Sequence, residues 1–110
     1  MNGLSLFFTL LVGHALADYP LQGEFLARAK SRMAPMPGVP WYHALAAHAL
    51  IHGGAVALLT GVWWLGVIET VCHAWIDDRR CCGRLSFNAD QALHIACKMT
   101  WVAVVIGLEP

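Results

Sequence analysis

Four pairs of polar residues, each four positions apart, lie inside apolar stretches of the chain: His14 and Asp18, His48 and His52, His73 and Asp77, Asp90 and His94. Four residues at about 3.6 per turn advance roughly 40° around a helix, so both members of a pair share one face. Five imidazoles and three carboxylates are nitrogen and oxygen ligands of the kind that bind zinc, manganese or iron. They outnumber the roughly four to six donors that one ion takes, so the set implies two ions, or one ion with a surround of orienting groups. Glu69 stands one turn before His73 and, with Asp77, is a candidate for moving a proton. Lys98, one turn after His94, is a candidate counter-ion or anion-binding group. His43 precedes His48 by five residues, about 140° around the helix, and is expected outside the set, at an interface beside Trp41 and Tyr42.

Each pair taken alone has a plainer reading. An isolated histidine in an apolar helix is more often a hydrogen-bonding contact between helices than a ligand. Asp77-Asp78-Arg79-Arg80 can simply end a helix at a polar boundary, and Asp90 can complement the dipole of the helix it begins. Four pairs with one spacing shift the balance toward a metal or catalytic site, because polar groups buried in an apolar medium are costly.

The elements that must carry these residues are apolar helices. The chain has 110 residues, 58% of them hydrophobic and only 13% charged, against about 25% charged in a typical soluble domain. Segments 3–20, 41–60, 62–78 and 88–108 each approach the roughly 20 residues that span a hydrocarbon core. The expected fold is all-α: a single domain, residues 1–110, formed as a four-helix transmembrane bundle. Thr60-Gly61 leaves room only for a tight antiparallel turn, and RMAPMPGVP (32–40) reads as an extended loop. Asn88 is the expected N-cap of the last helix, with Gln91 at the capping-box position. The four cysteines, at 72, 81, 82 and 97, have neither metal-site nor disulfide-framework spacing. Zero formal net charge argues against a nucleic-acid partner.

Charge then orients the spans. Arg28, Lys30 and Arg32 in one connection, and Arg79, Arg80 and Arg84 in another, place six of the seven basic residues on one side. The positive-inside rule makes that side cytoplasmic in a bacterial inner membrane, with both termini outward. The same topology brings all four polar pairs to the cytoplasmic half. GHALADYPLQ (13–22) also resembles the end of a signal peptide, with Ala15-Leu16-Ala17 before a cleavage point. The uncharged start MNGLS lacks the basic n-region of such a peptide, so the first segment is expected to stay as a helix.

The ordered strings H-x3-D-Y-P-L-Q (14–22), H-A-L-I-H (48–52), H-x-W-I-D (73–77) and D-Q-x2-H (90–94) resemble a family of small bacterial and phage membrane proteins, domain-of-unknown-function family 3307. The resemblance covers nearly the whole chain and implies an integral membrane protein, without implying an activity. A looser likeness, of style rather than of aligned motifs, is to membrane-bound metal-dependent hydrolases.

The expectation carried forward is an intramembrane His/Asp site holding one or two divalent transition-metal ions. It would hydrolyse a phospholipid or lipid-linked phosphate, with Asp77 or Glu69 as general base. Two alternatives stand beside it. One is a non-enzymatic phage accessory protein that binds a host membrane protein through its helix faces. The other is a haem or electron-transfer protein, although haem pockets rarely pair each histidine with an aspartate.

Overall fold

Asn2 starts the first helix, its side chain accepting a hydrogen bond from the Ser5 amide at 2.8 Å. This satisfies one of the amides that every helix start leaves without a partner. From there the computed structural model, which describes residues 2–110, builds five helices among the described residues: α1 (Gly3–Asp18), α2 (Gly23–Ala29), α3 (Trp41–Thr60), α4 (Trp63–Cys81) and α5 (Phe87–Leu108). The class is all-α, as expected. α1 stops before Pro20, and the chain turns by 81° into α2. No helix was expected at α2; the polar side chains of Gln22 and Lys30 anchor this short element to the rest of the molecule.

α3 and α4 form the antiparallel hairpin anticipated at Thr60-Gly61. Gly61 adopts φ 73° after the last turn of α3, a left-handed cap that suits glycine. Thr60 Oγ1 closes the turn by accepting from the Val62 amide at 3.1 Å. The hairpin is the most extensive helix contact in the fold, and glycines permit it. A Cβ on Gly66 would lie 2.6 Å from the Gly53 carbonyl oxygen and 2.7 Å from the Ala57 Cβ. α1 packs on α3 and α5, and α5 packs on α4, so the four long helices close a ring.

Two expected boundaries need correction. Ser86, not Asn88, caps α5: its hydroxyl accepts from the Ala89 amide at 3.0 Å. A cap must have extended backbone, and Ser86 does, whereas Asn88 already lies within the helix. Gln91 is thereby freed from a capping box. α4 also runs three residues beyond the expected end at 78, which places Arg79 and Arg80 in its last turn. Cations there complement the negative end of the helix dipole.

At one end of the bundle burial is inverted relative to a water-soluble protein. The buried residues include His14, His48, His52, Glu69, His73 and Lys98, while Leu58 and Leu4 are 86% and 80% exposed. A polar interior inside an apolar exterior needs a non-aqueous surround or a partner. Among the described residues two helices, α3 and α5, are long and apolar enough to cross a membrane, and α1 with α2 passes the same test as a bent pair, a broken span or a re-entrant loop. α4, charged at Glu69 and from Asp77 to Arg80, is not among them.

Candidate metal centre

Each pair turns one face of its helix inward, and the ring of helices brings these faces together at one end of the bundle. Asp18, from α1, is at the centre. Its Oδ1 lies 3.0 Å from His52 Nε2 and 3.4 Å from His48 Nε2, both on α3. His73, from α4, stacks on His52 with ring centroids 3.7 Å apart. One ligand atom from each of Asp18, His48, His52 and His73 can be chosen so that all four lie within 4.8 Å of one another. This His/Asp cluster can hold a metal ion.

Hydrogen bonding within the cluster is incomplete. His73 is wholly buried, and neither of its ring nitrogens has a hydrogen-bond partner. His48 is also wholly buried, and both its nitrogens lack one, although Nε2 approaches two carboxylates, Asp18 at 3.4 Å and Asp77 at 3.6 Å. Buried polar atoms are nearly always paired, and leaving one unpaired costs about 1–3 kcal/mol. An ion held among Asp18, His48, His52 and His73 would give such nitrogens a partner.

The remaining expected residues flank this core. His14 Nε2 lies 3.3 Å from Asp18 Oδ2. On α5, His94 Nε2 lies 3.3 Å from Asp90 Oδ1, and the His94 ring is 4.2 Å from that of His73. Asp77 is at the rim. All eight expected ligands therefore belong to one contiguous cluster, with four in the tightest group. His43 is exposed and packs edge-on against Tyr42, away from the rest.

The family profile described as protein of unknown function (DUF3307) matches residues 6–108. The chain belongs to the DUF3307 family. No curated protein and no solved structure matches it. The matched span contains every one of the four polar pairs.

In this DUF3307 chain, three polar side chains join the cluster without having been singled out for it. Lys30, at the end of α2, is buried with Nζ 2.7 Å from Asp77 Oδ2 and also donates to Gln22 Oε1. Gln91 donates through Nε2 to Asp18 Oδ2 at 3.2 Å and to Asp90 Oδ2 at 3.1 Å. Its Oε1 is 3.2 Å from His14 Nε2. Gln91 stands three positions before His94 on α5, so helical spacing carried a signal for it, whereas Gln22 lies beyond the end of α1 and spacing carried none. Lys30 carried none, because its placement depends on the bend before α2.

A cleft of about 310 Å3 opens onto the cluster. Asp18, Asp77, Asp90, Gln91, Lys30 and Arg80 are among the residues that line it. Glu69 is not at this opening. It lies one turn deeper, fully buried, where it accepts from Lys98 and from Trp101 Nε1. Lys98 is thus the counter-ion of Glu69. Beyond that pair the interior becomes apolar, built from Leu6, Leu10, Val56, Leu65 and Trp101.

Proposed function

We propose that the chain is an integral membrane protein whose four long helices cross a bacterial inner membrane, and that it uses a divalent zinc, manganese or iron site to hydrolyse a phosphoester at headgroup depth. The observation that carries this reading is the convergence of Asp18, His48, His52 and His73 beside a cleft bearing Lys30 and Arg80. α4 joins the spans because Glu69 is neutralised by Lys98 and its other charges fall in the last turns, at the interface. The six clustered basic residues support a cytoplasmic position for the cleft.

A bound ion would polarise a phosphoryl oxygen and lower the pKa of a coordinated water. The chain's own side chains do the rest. Lys30 and Arg80 attract the phosphate into the cleft. Asp77, at the boundary between cleft and cluster, takes the proton of the attacking water. Water's oxygen forms the new bond to phosphorus, the bond from phosphorus to the ester oxygen breaks, and the proton passes to the departing alcohol. Asp77 borders the cleft, within 2.7 Å of Lys30, whereas Glu69 lies one turn deeper and away from it, so the base role falls to Asp77. The substrate is a phospholipid or lipid-linked phosphate, since its tail can remain in the bilayer while its head reaches the cleft.

Two observations disfavour the alternatives. The stacked rings of His52 and His73 leave no gap for a porphyrin between them. Histidines serving only as interhelical hydrogen-bonding contacts would be bonded, and His73 is not.

The test is metal content by elemental analysis of protein purified in mild detergent without chelators, with turnover of phosphatidic acid in mixed micelles. Wild type should carry metal and release phosphate. His73→Ala should lose both at least tenfold, and Lys30→Ala should raise KM while keeping its metal. Metal-free wild type would overturn the site, and a metal-loaded protein inert toward phosphoesters would overturn the reaction.

A further inference from the structure

Between the carboxylates of Asp18 and Asp90 lies the side-chain amide of Gln91. Its nitrogen carries two hydrogens, and each carboxylate is within reach of one: Asp18 Oδ2 at 3.2 Å and Asp90 Oδ2 at 3.1 Å. Ionised carboxylates only accept, so the amide cannot be turned the other way round. Its oxygen therefore points at His14, 3.2 Å from Nε2, and a ring N–H is what meets it there. The amide thus selects the His14 tautomer protonated on Nε2 and engages that nitrogen.

The consequence for Asp18 is a choice between its two oxygens. Oδ2 is held by the amide, with His14 Nε2 also 3.3 Å away. Oδ1 is left facing His52 Nε2 at 3.0 Å and His48 Nε2 at 3.4 Å, within the group formed by Asp18, His48, His52 and His73. Two ligand atoms each about 2.0–2.1 Å from one tetrahedral ion lie about 3.3–3.4 Å apart, so Oδ1 and these nitrogens are spaced for a common ion. A carboxylate free at both oxygens can chelate an ion or swing away from it. One held at Oδ2 from α5 offers Oδ1 alone. Asp90 is divided in the same way: Oδ2 accepts from the amide, and Oδ1 lies 3.3 Å from His94 Nε2. The His94 ring stacks on that of His73 with centroids 4.2 Å apart. One amide therefore links the polar pairs of α1 and α5 into a layer beside the ligands, and such outer partners are what orient the ligands of a metal.

We propose that Gln91 is a positioning residue: its amide turns Asp18 so that Oδ1 alone is offered to a single ion held with His48, His52 and His73, and it keeps His14, Asp90 and His94 as orienting groups outside the ligand set. This deepens the metal reading above and rests on it.

The experiment uses the whole chain in detergent, isotope-labelled in its aspartate carboxyls, loaded with Zn2+ and freed of unbound ion by gel filtration. It reads the infrared difference between metal-free and loaded protein. The gap between the two carboxylate stretches is wide when one oxygen binds the ion and narrow when both do. Wild type should retain one Zn2+ per chain and show the wide gap. Gln91→Met, close in size but without a donor, should bind Zn2+ about 10–100-fold more weakly and, at saturation, show the narrow gap. Gln91→Asn, whose shorter amide cannot reach both carboxylates, should show the same shift and serves if Gln91→Met does not fold. Asp90→Asn should still saturate at one Zn2+ per chain with the wide gap. A narrow gap in wild type, or a wide gap kept by the Gln91 variants whatever their affinity, overturns the role of Gln91 and leaves the single-ion reading standing. Two Zn2+ per chain in wild type, or failure of Asp90→Asn to saturate at one, overturns the division between ligands and orienting groups. No bound ion in wild type overturns the metal reading itself.

Discussion

The same four helices bury opposite chemistries at their two ends. At one end Leu6, Leu10, Val56, Leu65 and Trp101 close the bundle with hydrocarbon and one indole. At the other end five histidines and three aspartates fill the space between the same helices. The apolar end is complete in itself, because carbon packed on carbon leaves nothing unpaired. The polar end is not, since both nitrogens of His48 and of His73 are unbonded. The Glu69–Lys98 pair, joined by the Trp101 indole, marks the boundary. Packing alone therefore holds one half together, and the other is a cluster that can hold a cation.

The boundary pair gives the largest expected effect on stability. Lys98→Met removes the cation and leaves the Glu69 carboxylate buried without a charge partner, which typically costs about 3–5 kcal/mol. Adding Glu69→Gln should recover most of that loss, because the double variant buries no net charge. Chemical denaturation in mixed micelles would measure both. If the single and double variants are equally unstable, Lys98 matters through its packing rather than its charge, and the two halves are not separated by an ion pair.

The clustering of the polar pairs was legible because it depends on local periodicity. Four residues along a helix fix a shared face whatever the tertiary arrangement, so His14 with Asp18 or Asp90 with His94 can be read directly from spacing. Side chains whose roles depend on chain direction or long-range pairing were not legible. Lys30 reaches Asp77 only because the chain bends by 81° before α2. Lys98 stood open between counter-ion and substrate group, and only the rotation of α4 against α5 pairs it with Glu69, 29 positions away. Asn88 and Ser86 compete as caps two residues apart, and the choice depends on which has extended backbone. It also decided the fate of Gln91, which leaves the capping box for the centre. Apolar length was legible for α3 and α5, which are long and apolar enough to cross a membrane, and less so for α4, where acidic and basic side chains that pair in the fold count separately against a span.

A smaller effect is expected from the apolar end. Leu10 is almost fully buried, in the cluster with Val56 and Leu65. Leu→Ala substitutions in water-soluble cores cost about 2–5 kcal/mol, combining a transfer contribution with the cavity left behind. In a membrane the transfer contribution is largely absent, because lipid is as apolar as the core. Leu10→Ala should therefore fall near the low end, about 2 kcal/mol by thermal or denaturant unfolding, with metal content unchanged. Loss of metal in this variant would mean that the two ends are coupled through the tilt of α1 and do not stand independently.

His43→Ala should do least and says most about the phase of α3. His43 is the one histidine of the chain outside the cluster, exposed and edge-on to Tyr42 with ring centroids 5.1 Å apart. Its five-residue offset from His48 rotates it about 140° from the face that carries His48 and His52. An exposed side chain without a buried partner usually changes stability by no more than about 0.5 kcal/mol when truncated. Metal content should equal that of wild type, because the imidazole faces away from Asp18. Measured beside His73→Ala in identically prepared protein, it separates a loss of ligand from a general effect of removing any histidine. If His43→Ala sheds metal as readily as His73→Ala, α3 is rotated from the phase described. His48 and His52 would then no longer share a centre with Asp18, and the contrast between a self-sufficient apolar end and a polar end that can hold a cation would lose its basis.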